Sequence, residues 1–281
     1  MSHESLVFGL IGTGKIGSAV INGFCSDNGW KPQHVYISKR SEEKSNVLRH
    51  AHPQRISVLD DNQAIIDNSD VVFIGLLPDV AKELIPELQF PPNKIIISMM
   101  ATIPYEQLLN WTQLPSSQVV RTVPLPSAAK RSGPVLAYPK HELVEKLLKE
   151  IGTPVMVQNE SEISTLTGVT ALISFFYANC ANIQQWNVNN GVGEESARFF
   201  ISSFFKSLAE AGFESKEYFT EMAEEGATPG GLNEQVHRGL LASGAYNLIT
   251  DQMDEIFRRL TGTEPARIHD SQEPKRQMSS N

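Results

Sequence analysis

Six residues near the amino terminus, Gly12-Thr13-Gly14-Lys15-Ile16-Gly17, have the types and spacing that hold a pyrophosphate. They form G-x-G-x-x-G directly after the apolar run Leu6-Val7-Phe8-Gly9-Leu10-Ile11 and open a helix-like segment, the context that gives the pattern meaning. The first glycine permits a tight turn, the second lets a pyrophosphate approach the backbone, and the third lets helix and strand pack closely. The helix start adds unpaired N–H groups and a positive dipole end. A glycine-rich turn without a ligand shares the pattern but does not require the strand and helix around it.

The nucleotide is selected about 20 residues further on, at the end of the second strand, where an NAD binder carries Asp or Glu for the ribose 2′-hydroxyl. This chain has Ser38-Lys39-Arg40-Ser41 there, with Lys44 one helical turn later. Three cations and two hydroxyls suit a dianionic 2′-phosphate, so NADP(H) is preferred over NAD(H). The bland alternative is a solvated basic loop; Glu42 and Glu43 soften its field without reversing it. Two later strand ends face the same crevice, Gly75-Leu76-Leu77-Pro78 and Ser98-Met99-Met100-Ala101. Leu76, Leu77, Pro78, Met99 and Ala101 suit a nicotinamide ribose and ring packed against backbone, and Met99 and Met100 serve equally well as core filling.

A second unusual turn, Ala227-Thr228-Pro229-Gly230-Gly231-Leu232-Asn233-Glu234, interrupts the carboxyl-terminal half. Proline stops one helix, two glycines free the backbone, and the next helix begins at Leu232 or Asn233. Successive N–H groups at such a start suit a carboxylate, although an ordinary corner between helices has the same composition.

The elements that must position these residues alternate along the first 160 residues. Strand-like runs lie at 6–11, 34–38, 71–76, 94–99, 118–123 and 154–158, with helix-like stretches at 16–25, 42–50 and 79–88. This alternation predicts an α/β domain over residues 1–159, a Rossmann-type doubly wound parallel sheet. Beyond it, 161–185, 194–210 and 234–257 read as helices, giving an all-helical domain over 160–262. The polar, aperiodic stretch 263–281 reads as a disordered tail. Phe199, Phe200, Phe204 and Phe205 spread apolar surface nearly all round their helix, which predicts burial on two sides, at a subunit interface or inside a bundle.

Composition sets the outer limits. A length of 281 residues suits about two domains, and 41% hydrophobic with 20% charged residues is globular. Lys plus Arg number 24 against 32 Asp plus Glu, a net charge of -8, which argues against a nucleic-acid or anionic-membrane binder. Cys25 and Cys180 stand far apart with no CxxC, which excludes a disulfide scaffold and a zinc module and favours a reducing compartment. The seven histidines form no metal or catalytic set, and no serine is paired with a base. The stretch 166–183 is apolar, yet Thr167, Thr170, Ser174, Asn179 and Asn182 make it poor for spanning lipid. With no signal-like start, the expectation is a soluble cytoplasmic protein with no metal, no membrane and no nucleic-acid partner.

In order and spacing these segments resemble pyrroline-5-carboxylate reductases, which make proline by reducing a cyclic imine with NAD(P)H. The resemblance runs through the G-x-G-x-x-G, the Ser38-Lys39-Arg40-Ser41 loop, Arg121-Thr122-Val123-Pro124, and the turn 227–231, which is similar to the family's T-P-G-G signature. It implies a Rossmann domain joined to a helical domain that interleaves with a second subunit, hence at least a homodimer, with the site where these meet and a small cyclic imine as substrate. It further implies that Pro124 lies beside the cofactor, that Thr228 is the first candidate for a polar contact at the catalytic centre, as a positioning group rather than a strong acid, and that Gly230, Gly231, Leu232 and Asn233 surround the substrate carboxylate. His237 is a weaker candidate for proton delivery.

The departures cluster on the substrate side. Leu232 and Asn233 stand where the family has two threonines, and Val123-Pro124-Leu125-Pro126-Ser127 replaces Met-Pro-Asn-Thr-Pro. Leu77 replaces a common lysine, and Thr167-Gly168-Val169-Thr170-Ala171 replaces Ser-Gly-Ser-Gly-Pro. A hydrogen bond to a charged group contributes about 1.5–3 kcal/mol, so each loss matters to a carboxylate. Four functions therefore compete. The first is NADPH-dependent reduction of pyrroline-5-carboxylate or a close cyclic imine by hydride transfer from nicotinamide C4. The second is reduction of a carbonyl compound, which normally needs a Lys or His acid; Lys206 and Lys216 read as solvent-facing. The third is a catalytically silent NADP-binding regulatory dimer, and the fourth is an interaction protein, which fits the cofactor motif poorly.

Overall fold

The computed structural model of the chain describes residues 5–26, 29–39 and 42–266. Arg40 and Ser41 lie outside the described residues, as does the predicted tail from residue 267 onward. Contacts between Cα atoms divide the chain into two compact units, Met1–Thr167 and Gly168–Asn281.

The first unit is built on one eight-stranded sheet. Its strands are β1 (Val7–Ile11), β2 (His34–Ser38), β3 (Ile56–Leu59), β4 (Val71–Ile74), β5 (Ile95–Ser98), β6 (Val119–Val123), β7 (Pro134–Tyr138) and β8 (Thr153–Met156), in the order β3-β2-β1-β4-β5-β6-β7-β8. All neighbours are parallel except β6 and β7. Central strands are apolar without alternation because helices cover both faces. Along β4, Val71 and Phe73 join one core while Val72 and Ile74 join the other, as the two-residue period of a strand requires. The first core receives Val20, Ile21 and Phe24 from α1 (Lys15–Cys25), Leu48 from α2 (Glu42–Ala51), and Val144, Leu147 and Leu148 from α6 (Glu142–Lys149). The second receives Ile65 and Ile66 from α3 (Asn62–Asp67), Ala81 from α4 (Pro78–Leu84), and Tyr105 and Leu108 from α5 (Tyr105–Thr112).

Several predicted elements differ in extent. The stretch 79–88 is α4 followed by a 3-10 turn, Ile85–Glu87, because Pro86 has no N–H to continue an α-helix. Strands β3 and β7 and helices α3, α5 and α6 are absent from the sequence-based reading. The second unit begins at the end of α7 (Glu160–Val169) and continues through a 3-10 turn into α8 (Ile173–Asn189), then α9 (Glu194–Glu214), α10 (Phe219–Gly226), α11 (Leu232–Ala242) and α12 (Ala245–Thr261). The helix read over 234–257 is thus two helices, broken where Gly244 takes a φ of 72° that other residues rarely adopt. The stretch Glu160–Asn189 is long and apolar enough, by length and composition, to cross a membrane.

A buried ion pair ties the carboxyl end of the sheet together. The Arg121 side chain on β6 is 4% exposed, and its Nη1 donates to Glu160 Oε1 at 2.6 Å while Nη2 donates to the Ala101 carbonyl. Glu160 Oε1 also accepts from the Tyr105 backbone N–H at 2.6 Å. Burial pulls the Arg121 pKa down and Glu160 pulls it back up. One guanidinium therefore joins β6, the loop after β5, the start of α5 and the start of α7, with its Nε left without a partner. Arg121→Met should cost about 2–3 kcal/mol in unfolding free energy, discounted from the fully buried case because Glu160 is 31% exposed. Urea denaturation checks this; a change under about 0.5 kcal/mol would show the pair to be incidental.

Candidate active site

The glycine loop leaves β1 at the point where the sheet's connections diverge, β2 on one side of β1 and β4 on the other. Ligands of open α/β sheets bind in the crevice at such a point. Gly12 has a φ of 102°, and a Cβ there would lie 2.3 Å from the Gly75 carbonyl oxygen. A Cβ on Gly17 would lie 2.6 Å from the Gly12 carbonyl oxygen and 3.0 Å from a Leu10 methyl. Above Gly14, by contrast, nothing lies within 4 Å of where its Cβ would be. Gly14 caps α1, no side chain bonds to that cap, and the first turn carries no acidic residue. Two glycines are therefore taken up by the protein's own packing and one faces open space at an uncapped helix start. That arrangement fits the pyrophosphate of a dinucleotide.

The loop is fixed from β2. Ser38 is buried; its hydroxyl accepts from the Gly12 N–H at 3.0 Å, and the Thr13 hydroxyl donates to the Ser38 carbonyl at 2.7 Å. The Ser38 hydroxyl thus braces the turn. Lys39 reaches across to Asp60, 3.1 Å away, at the end of β3. Lys44 is exposed on α2 and lines a different groove, with Gly14, Lys15 and Ser18. Lys39 and Lys44 therefore line separate grooves. Asp60 was missed in the sequence because β3 itself was not recognised as a strand.

The remaining cofactor candidates all stand at carboxyl ends of strands. Leu76, Leu77 and Pro78 follow β4, with exposed Leu77 capping α4 and Pro78 at its first position. Met99 and Ala101 follow β5 and Pro124 follows β6. Met99 is buried in the core, with its methyl 3.1 Å from the Cβ position of Gly75, so it packs against the turn after β4. Lys15 is exposed and Ile16 half-buried at the start of α1.

In the helical unit, the turn between α10 and α11 contains Thr228, Gly230 and Gly231, with Leu232 and Asn233 opening α11. Its N–H groups are partly committed. Gly231 donates to the Thr228 carbonyl at 2.8 Å, and Gly230 donates to Glu234 Oε2 at 2.6 Å. The Asn233 side-chain amide donates to the Gly226 carbonyl at 3.0 Å, and Leu232 is 81% exposed. Glu234 also pairs with Arg238 at 2.7 Å, so a carboxylate of this chain already sits at the helix start. His237 contacts the Tyr246 hydroxyl on α12 at 3.1 Å. Among the described residues no group of three or more His, Cys, Asp or Glu is arranged for a metal.

Residues 7–102 match the family model described as NADP oxidoreductase coenzyme F420-dependent. Pyrroline-5-carboxylate reductase 2 of Bacillus subtilis is 22% identical over 263 residues, covering 89% of this chain and 92% of that protein. The 1-pyrroline-5-carboxylate reductase of Streptococcus pyogenes superposes with a TM-score of 0.77 at 20% identity, covering 92% of this chain and 100% of that one. The Plasmodium falciparum pyrroline carboxylate reductase with NADP bound superposes with a TM-score of 0.78 at 15% identity, covering 92% and 98%. Over most of its length the chain is thus similar in sequence to pyrroline-5-carboxylate reductases, and it shares their fold.

Proposed function

We propose that the protein reduces a cyclic imine, 1-pyrroline-5-carboxylate in the first instance, using NADPH. The observation that carries this reading is similarity to pyrroline-5-carboxylate reductases along 89% of the chain, both units included. The dinucleotide, when bound, supplies a hydride from C4 of its reduced nicotinamide. Lys15, Ile16 and Gly17 present the free start of α1 to its pyrophosphate, with Gly14 giving the clearance. Lys39 and Arg40 supply cationic donors for a 2′-phosphate, while Lys44 lines the separate groove beside Gly14 and Lys15. Leu76, Leu77, Pro78, Met99, Ala101 and Pro124 exclude water around the nicotinamide end. A protonated imine is already electrophilic, so the chain's main task is to hold the two reactants in register. Thr228 acts as a polar positioning contact rather than a strong acid.

A second copy of the chain completes the helical unit. No residue of α8, α10, α11 or α12 is buried, and α9 buries only Ala197 and Ile201. Phe199 and Phe200 are each 71% exposed, beside exposed Phe175, Phe176 and Phe204. Patches of that size signal an interface. Lipid is the poorer occupant, since α8 carries Asn179, Asn182, Gln184, Gln185, Asn187 and Asn189.

A second reading concerns the substrate. Glu234 already occupies the Gly230 N–H, and Leu232 offers no hydroxyl. Both facts favour an imine that lacks a carboxylate.

Three measurements test these statements. NADPH oxidation by the purified protein should be rapid with pyrroline-5-carboxylate; turnover confined to a carboxylate-free cyclic imine would establish the second reading, and tight NADPH binding without turnover on either would leave a silent dimer. Arg40→Ala should weaken NADPH about tenfold or more while leaving NADH within about twofold, by fluorescence titration; equal losses would remove Arg40 from the 2′-phosphate. Light scattering should give at least twice the mass of one chain, and Phe200→Glu should shift it toward the monomer; a monomeric wild type would overturn the dimer.

A further inference from the structure

The nucleotide end of the first unit contains a charge arrangement that the proposed function leaves unused. β2 and β3 are parallel neighbours with Ser38 opposite Leu59, so the residues that follow, Lys39 and Asp60, emerge side by side at the carboxyl edge of the sheet. Lys39 Nζ lies 3.1 Å from Asp60 Oδ1. The pair is shared by two adjoining grooves, both lined by Lys39, Glu42 and Asp60; the larger, of ≈ 750 Å³, adds Glu83 and Glu87. The hydrogen bond that Lys39 donates to Asp60, then the charges of Asp60 and Glu42, hold the Lys39 ammonium more firmly protonated than usual. In the larger groove the lining charges other than Lys39 are acidic, whereas the smaller also holds Arg49.

The end of β2 is where a dinucleotide's ribose 2′-position is read. A carboxylate and a phosphate are chemically alike as acceptors for one ammonium, and a Lys Nζ engaged with one gives less to the other. We infer that Asp60 is a specificity-determining residue: by holding Lys39 it competes with the 2′-phosphate and restrains the protein's preference for phosphorylated dinucleotides. The inference rests on the dinucleotide reading given above. Both partners are open to water, Lys39 at 48% and Asp60 at 80% side-chain exposure, so the competition is graded. A dianionic phosphate displaces Asp60 at some loss of affinity, whereas a 2′-hydroxyl leaves the pair intact. Lys39 and Asp60 therefore act in opposite directions, and the cofactor ratio reports their balance.

Calorimetric titration of the full chain with adenosine 2′,5′-bisphosphate and with adenosine 5′-monophosphate tests this without requiring turnover. Asp60→Asn should tighten the bisphosphate about two- to fivefold at low salt, the range open to an exposed ion pair, and leave the monophosphate unchanged. In a Lys39→Met background the same substitution should yield less than half that gain. Asp60 is exposed and Asp61, not Asp60, caps α3, so Asn is compatible with the fold; an unchanged melting midpoint verifies it. An unchanged or weakened bisphosphate affinity overturns the inference. A full gain without Lys39 also overturns it, since Asp60 would then act by repelling the phosphate directly. If wild type and Asp60→Asn both bind the bisphosphate no better than the monophosphate, the NADP reading fails as well; discrimination by wild type that Asp60→Asn does not alter removes the inference alone.

Discussion

At the carboxyl end of β1 the backbone of one turn is pressed against the backbone of its neighbours, and no side chain fits between them. The Gly12 position is closed by the Gly75 carbonyl and the Gly17 position by the Gly12 carbonyl. This contact allows α1 to start immediately beside the sheet, with its first N–H groups directed into the crevice. Ser38 and Thr13 lock the arrangement from β2, so a buried hydroxyl network, and not a charge, sets the geometry on which the phosphate site depends. The clearance over Gly14 exists because the surrounding contacts are so tight.

Arg121 performs a comparable task further along the sheet. It gathers Ala101, Tyr105 and Glu160 around one guanidinium, three points that come from separate loops and helices. Burying an ion pair is not in itself strongly stabilising, but once in place it punishes alternatives, because a lone buried charge is costly. The loop after β5, which carries Ala101 and adjoins Met99, is thereby held in one position relative to β6 and Pro124.

The helical unit follows a different logic. Its helices are apolar but almost nothing in them is buried, and the aromatic surface of α8 and α9 remains open in a single chain. A globular unit of that composition would normally collapse onto a core of its own. Residues that look like core in the sequence are exposed in this unit. The turn before α11 shows local self-sufficiency instead: Glu234, held by Gly230 and Arg238, supplies the negative charge that a helix start favours.

How much of this was legible in advance depended on the range of the interactions. The glycine loop, the central strands β1, β2, β4, β5 and β6 and the helical carboxyl-terminal half follow from local pattern, because apolar runs and glycine spacing act over a few residues. Strand β3 escaped because four residues at a sheet edge, one buried and three half-buried, carry little periodicity, and β7 because it opens on Pro134 and pairs antiparallel with β6. With β3 went Asp60, whose approach to Lys39 exists only through the pairing of β2 with β3. The sequence by itself determined the chemistry present: a G-x-G-x-x-G loop, a basic segment after β2 and a Pro-Gly-Gly turn. Only the tertiary structure decided which of those groups are already occupied, Ser38 by Gly12 and Lys39 by Asp60, because hydrogen bonds and ion pairs form between residues that folding, not sequence, makes neighbours.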